Sequence, residues 1–108
     1  MMDHPDAARE EKIRIHADPD LADLIPGFLG NRRKDIVAMQ AALEGGDFET
    51  VRVLGHSMKG AGGGYGFDAI TDIGAALEQA AKGKDPGAVS KGLRDLSSYL
   101  DRVEVVND

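Results

Sequence analysis

The sequence predicts an all-α fold, an antiparallel four-helix bundle with a short N-terminal extension. Apolar residues recur at intervals of three and four, glycine and proline separate four such segments, and no convincing strand pattern or repeat is present. The connections between the segments are short, which favours antiparallel neighbours. A length of 108 residues suits one domain. We therefore expect one bundle over residues 17–106 and an extension over residues 1–16.

The first 26 residues predict an irregular tail, an extended piece and the start of a helix. Residues 1–11 are polar and aperiodic, and residues 12–16 alternate isoleucine with charge, which indicates an extended piece too short to imply a sheet. Asp18 and Pro19 predict a helix start, because aspartate caps helices and proline is tolerated in the first turn. Pro26 falls inside the helical pattern that follows, so we expect a kink or break there.

The later helices have clearer boundaries. The Gly45–Gly46 pair ends one helix, and Asp47 is placed to cap the next. Asp68 is a possible cap for a third helix. The Asp85–Pro86 pair supplies a cap and a first helical residue for a fourth, whose apolar seam continues to Val103.

Composition restricts the classes of function. The chain has 19 acidic and 13 basic residues and a formal charge of −6, unlike the basic surface typical of nucleic-acid binders. It has no cysteine, which excludes disulfides, thiol catalysis and cysteine-rich zinc sites. Neither a signal peptide nor an apolar run near the ~20 residues of a membrane span is present. We expect a cytoplasmic protein that binds neither nucleic acid nor membrane.

The second predicted helix contains or adjoins a cluster of glycines around one histidine. Glycine inside a helix costs about 0.5–1 kcal/mol relative to alanine, and residues 55–66 hold several. His56 lies about 140° around the helix from the core position Val51, outside the apolar stripe. The residues one or two turns from His56 on its own face are Arg52, Lys59, Gly60 and Gly63.

Two interpretations of this cluster remain open from geometry alone. In the first, the missing side chains give a partner access to the imidazole, and Lys59 can reach an anion attached to the ring. In the second, His56 is an ordinary surface histidine and the glycines serve close helix packing. Gly62 lies on the core side and suits packing, whereas Gly64 and Gly66 suit the helix end and the turn.

The residues around His56 resemble the histidine-containing phosphotransfer (HPt) domain family. The matching residues are the His56–Gly62 stretch, then Tyr65–Phe67, and one helix later Leu77–Glu78. Asp47, after two glycines, is similar to the usual start of the histidine helix in that family. The resemblance covers residues 21–103. Glycine at positions 62–64, where many members have serine, alanine or threonine, leaves helix continuity past residue 61 open. Gly55, where alanine is usual, allows either a closer helix contact or a looser turn before His56.

The resemblance implies a phosphoryl carrier rather than a turnover enzyme. His56 accepts a phosphoryl group and exchanges it with an aspartate of a response-regulator receiver domain, or receives it from a sensor histidine kinase. Lys59 offsets the phosphoryl charge, Gly60 leaves room for the receiver, and Glu78 accepts a hydrogen bond from the other ring nitrogen and fixes the tautomer. No cofactor or metal is expected on this chain, because the magnesium used in transfer belongs to the partner's acidic pocket.

Several alternatives accompany this hypothesis. Arg52 and the basic run over residues 32–34 form either a positive rim for a partner or a solvated face. The same histidine face also suits a module that binds a receiver without exchange, or a substrate domain cut from a histidine kinase. A G-x-G-x-x-A match over residues 64–69 lacks the preceding strand of a dinucleotide site. The predicted apolar faces are used up by one bundle, which predicts a monomer.

Overall fold

A computed structural model of the chain describes residues 12–107. The described part contains four α-helices, α1 (Ile25–Glu44), α2 (Phe48–Gly62), α3 (Asp68–Lys82) and α4 (Pro86–Arg102). It also contains two strands, β1 (Ile13–Ala17) and β2 (Val103–Asn107), and two short 3₁₀-helices, Pro19–Leu21 and Gly63–Tyr65. The predicted mainly helical protein with four helices is confirmed. Their antiparallel order stays a prediction, and most of the predicted extension, residues 1–11, lies outside the described residues.

The helices pack around one apolar core. α1 packs against α2 and α4, and α3 packs against the same two helices, with the largest contact between α2 and α3. The side chains that are almost completely buried come from the loop before α3 and from all four helices. They are Phe67, Ile25, Met39, Met58, Ile70, Leu77, Leu96, Val51 and Val89. In the part of the chain that the structure describes, no helix has both the length and the apolar character needed to cross a bilayer.

Two predicted caps are present. The Asp47 carboxylate accepts a hydrogen bond from the Thr50 N–H at 3.0 Å and begins α2. The Asp85 carboxylate accepts from the Ala88 N–H at 3.1 Å and begins α4. Each satisfies an amide that the first turn of a helix leaves without a partner.

Two other predicted helix starts differ from the structure in part. Asp18 caps a helical segment that begins at Pro19, as predicted, but this segment is only the 3₁₀-helix Pro19–Leu21. The break expected near Pro26 is present, because α1 starts anew at Ile25 with Pro26 in its first turn. Proline lacks an N–H that the first turn of a helix does not use, so the break takes the form of a new helix start beside Pro26 and not of a kink. At α3 the cap position is Phe67, and Asp68 is the first helical residue.

The extended piece predicted at residues 12–16 forms β1, but its pairing with a second strand was not predicted. β1 and β2 run parallel, with Ile13 opposite Val103 and Ile15 opposite Val105, and these four side chains pack against the core. The backbone becomes extended at Val103, so the apolar seam predicted to continue α4 belongs to β2 instead. β1 also crosses the predicted boundary between residues 16 and 17, and that division of the chain stays a prediction.

Glycines set the distance between α2 and α3. A Cβ atom at Gly74 would lie 2.6 Å from the Lys59 amide nitrogen and 2.8 Å from the Gly55 carbonyl oxygen. A Cβ at Gly55 would lie 2.8 Å from the Glu78 nitrogen, and one at Gly62 would lie 2.6 Å from the Thr71 nitrogen. Gly62 is thus a packing glycine, as predicted, and Gly55 has the same function. The two helices approach closely enough to bring residues of α2 beside the buried side of α3.

Candidate functional site

His56 lies in the middle of α2 on its outer side. Its side chain is 65% exposed, whereas Gly55 and Met58 on the same helix are buried. The prediction that His56 lies outside the apolar stripe is correct. The imidazole is therefore accessible to a second protein, while one edge of the ring contacts α3.

Glu78 is a buried carboxylate next to this ring. Its side chain on α3 is only 5% exposed, and Oε2 lies 2.9 Å from Nδ1 of His56. An ionised carboxylate can only accept a hydrogen bond, so the proton of a neutral imidazole resides on Nδ1. The predicted contact between Glu78 and the ring is present. It leaves the lone pair of Nε2 free for chemistry.

Two lysines neutralise the Glu78 carboxylate. Lys59 Nζ lies 2.9 Å from Oε1, an ion pair without the geometry of a directed hydrogen bond, and Lys82 Nζ lies 3.8 Å from Oε2. The close contact with Lys59 is the largest cause that holds the pKa of Glu78 below its ordinary value. His56 and Lys82 lower the pKa further, and burial opposes them. Glu78 is therefore ionised at neutral pH.

This lowered pKa predicts an acid-sensitive contribution to stability. A carboxyl group with a lower pKa in the folded state stabilises the fold fully above its ordinary value of 4.5 and loses this effect as the pH falls through the folded value. Between neutral pH and about pH 3, wild type should lose more unfolding free energy than Glu78→Gln, measured by urea denaturation. Identical pH dependence of the two proteins would contradict this assignment.

The glycines near the ring divide into two kinds. A Cβ atom at Gly60 would find nothing within 4 Å, so packing does not require this glycine and the surface beside Lys59 is open. Gly63 belongs to the connection instead, because its N–H donates to Thr71 Oγ1 at 2.8 Å. Thr71 Oγ1 in turn donates to the Lys59 carbonyl at 3.0 Å. Thr71 thus fixes the end of the histidine helix, a function that the sequence pattern did not indicate.

The arginines predicted as a positive rim have partners within the protein. Arg52, one turn before His56, pairs with Glu49, which raises the pKa of Arg52. Arg32 stands over the Phe28 ring, 4.7 Å from its centroid, and pairs with Asp35 at 2.8 Å. Arg33 donates to the Leu100 carbonyl and pairs with Asp101, which joins α1 to α4. Of these three arginines, Arg52 is the one that borders the His56 face.

Comparison with known proteins gives one match. The family model of the Hpt domain matches residues 23–105, which include all four helices, His56, Lys59 and Glu78. No curated protein and no solved structure matches the chain. Within residues 12–107 no group of three or more His, Asp or Glu side chains is arranged to hold a metal ion.

Proposed function

The chain belongs to the Hpt domain family, the histidine phosphotransfer modules of phosphorelays, and on that premise we propose that His56 accepts a phosphoryl group and exchanges it with a receiver-domain aspartate. The observation that carries the proposal is the 2.9 Å contact between Nδ1 of an exposed imidazole and a buried carboxylate. It gives the ring one defined tautomer and one available nucleophilic nitrogen. Because Nε2 carries no proton in this tautomer, no further residue is needed to deprotonate it before the attack.

The transfer step follows from this geometry. The Nε2 lone pair of His56 attacks the phosphorus of an aspartyl phosphate in line with the leaving oxygen. The N–P bond forms as the P–O bond breaks, and the aspartate carboxylate leaves with the electron pair. The ring gains a positive charge with its proton still on Nδ1, and the negative charge of Glu78 stabilises that product. The return transfer is the reverse of this step.

Lys59 supplies the positive charge for the phosphoryl oxygens in this proposal. It lies one turn after His56 on α2, and 41% of its side chain is exposed beside the open surface at Gly60. Magnesium is expected in the acidic pocket of the receiver during transfer, so this chain acts as a carrier that needs no metal of its own.

Glu78 variants test the positioning of the ring. Glu78→Ala should slow phosphoryl transfer about 10-fold or more, because the ring loses both its fixed tautomer and the nearby negative charge. Glu78→Gln should lose less, because the amide oxygen still accepts from Nδ1. Single-turnover transfer rates measure the difference, with circular dichroism as the control for folding. Equal rates for wild type and both variants would remove Glu78 from the mechanism.

The function itself is tested by phosphoryl uptake. The purified chain is mixed with a wide panel of phosphorylated receiver domains, and we expect an acid-labile, base-stable label on the protein. The partners in this proposal are receiver domains and sensor histidine kinases, and the chain acts as a cytoplasmic monomer. If receivers bind but none transfers its phosphoryl group, the chain is a receiver-binding module instead. Label that arises from a histidine kinase and reaches no separate receiver would support the alternative of a kinase substrate domain.

A further inference from the structure

Lys59 has two tasks that compete. In the structure its ammonium contacts Oε1 of Glu78 at 2.9 Å, inside a site where that carboxylate is 5% exposed. The proposed function requires the same ammonium at a phosphoryl group on Nε2, the ring nitrogen that faces away from Glu78. If Lys59 moves there, Oε1 loses its counter-ion while it remains buried. The charged ring pairs with Oε2, not with Oε1, and a buried carboxylate oxygen that loses its cation is unfavourable, so this movement needs compensation.

A second lysine lies in position to compensate. Lys82 is one turn after Glu78 on α3, its Nζ is 3.8 Å from Oε2, and half of its side chain is exposed. This distance is within an ion pair but outside a hydrogen bond, so Lys82 can still move closer. Lys82 and Glu78 are on the same helix, so the flexible side chain of Lys82 can reach the carboxylate whatever the position of α2.

The charges of the two states also call for a second lysine. When the ring is in the form that attacks, with its Nε2 lone pair free, the site has one carboxylate and two lysines, which is one cation in excess. A phosphoryl group adds about −1.5 to −2, and the ring gains a positive charge when the N–P bond forms. The two lysines and the charged ring then balance the carboxylate and the phosphoryl group almost completely.

We propose that Lys82 is a positioning residue for the phosphorylated state, which takes over the Glu78 carboxylate when Lys59 turns to the phosphoryl group on His56. This inference rests on the proposed function and adds how the charges of the same site are stabilised after phosphorylation. Lys82 acts here through Glu78 and Lys59 and does not touch the phosphoryl group. Its effect is therefore expected after phosphorylation and is small before it.

The test compares three single variants in phosphoryl exchange with a receiver that is known to transfer. Lys82→Met keeps the apolar stem and should shift the exchange equilibrium about five-fold toward the receiver, the effect of an ion pair near 1 kcal/mol. Lys82→Arg should remain near wild type. Lys91→Met is the matched control, because Lys91 is exposed and forms an i,i+4 pair with Asp95 at 2.9 Å on α4. We expect less than about a two-fold shift for this control.

A double-mutant cycle separates a positioning function from a direct or structural one. In a Lys59→Met background, Lys82→Met should have almost no further effect, because no Lys59 ammonium remains to be released. The melting temperature of unphosphorylated Lys82→Met should fall no further than that of Lys91→Met, which also loses an i,i+4 ion pair, and its His56 ring ¹⁵N shifts should stay close to wild type. An equal shift in both backgrounds, or an unshifted equilibrium in Lys82→Met, would overturn the proposal while wild-type transfer stands. Absence of transfer by wild type would instead overturn the proposed function.

Discussion

Gly74→Ala is expected to destabilise the protein by about 1–3 kcal/mol, although alanine is the better helix former. The new Cβ would lie 2.6 Å from the Lys59 nitrogen and 2.8 Å from the Gly55 carbonyl oxygen, both backbone atoms of α2. Backbone atoms cannot rotate away, so the two helices must separate. Because His56 and Glu78 lie on these helices, their hydrogen bond should lengthen and transfer should slow as well.

Gly60→Ala is the matched control for this prediction. It makes the same chemical change on α2 at a position where the added Cβ atom has nothing within 4 Å. Helix propensity alone should then stabilise the protein by about 0.5–1 kcal/mol. Urea denaturation measures the stability of both variants, and we expect effects of opposite sign. Wild-type stability of Gly74→Ala would show that α2 and α3 do not depend on this close approach.

His56→Gln should abolish phosphoryl uptake without loss of the fold. The side chain is 65% exposed and contributes little to the core, so the free energy of unfolding should change by less than about 0.5 kcal/mol. Glutamine can still form a hydrogen bond with Glu78, but its amide nitrogen is not a nucleophile. Label incorporation from a phosphorylated receiver should fall below detection.

His16 provides the control for this variant. His16 lies in β1, far along the chain from α2, and His16→Gln should take up label at the wild-type rate. Residual base-stable label on His56→Gln would mean that another histidine carries the phosphoryl group, and the assignment of the site would be wrong.

The sequence predicted correctly those features of the fold that depend on neighbouring residues, such as helix caps. Asp47 and Asp85 cap helices through amides only three residues away, and sequence order alone fixes that relation. Pro26 is also a local signal, but the apolar spacing from Leu21 onward continues across it and suggests one interrupted helix. A first-turn proline and an interior proline differ only in where the hydrogen-bonded turns begin.

The pairing of β1 with β2 could not be predicted from neighbouring residues. The parallel register joins Ile13 to Val103 across the whole helical part of the chain, and each strand has only five residues. Neither short segment indicates a partner by itself, because strand pairing is a property of two segments together. Val103 continues the four- and three-residue spacing of the α4 seam and also alternates with Val105, so this one position suits either a helix or a strand.

The candidate site was predicted in part by pattern and in part by resemblance. Helical geometry placed His56 outside the core and Lys59 one turn away, and the family resemblance supplied the pairing of His56 with Glu78. Spacing cannot give a distance between residues on different helices, which here depends on the glycines between them. Lys82 was overlooked, although its position four residues after Glu78 on a predicted helix is a signal for an ion pair.

In the proposed mechanism, His56 carries the phosphoryl group on Nε2 while Nδ1 keeps its hydrogen bond to Glu78. Nitrogen and phosphorus NMR of the ¹⁵N-labelled, phosphorylated protein tests it most directly, because the coupling identifies the bonded ring nitrogen. We expect phosphorus coupling to Nε2 of His56 and a retained Nδ1–H signal that is lost in Glu78→Ala. Coupling to Nδ1, or to a ring nitrogen of another histidine, would contradict it.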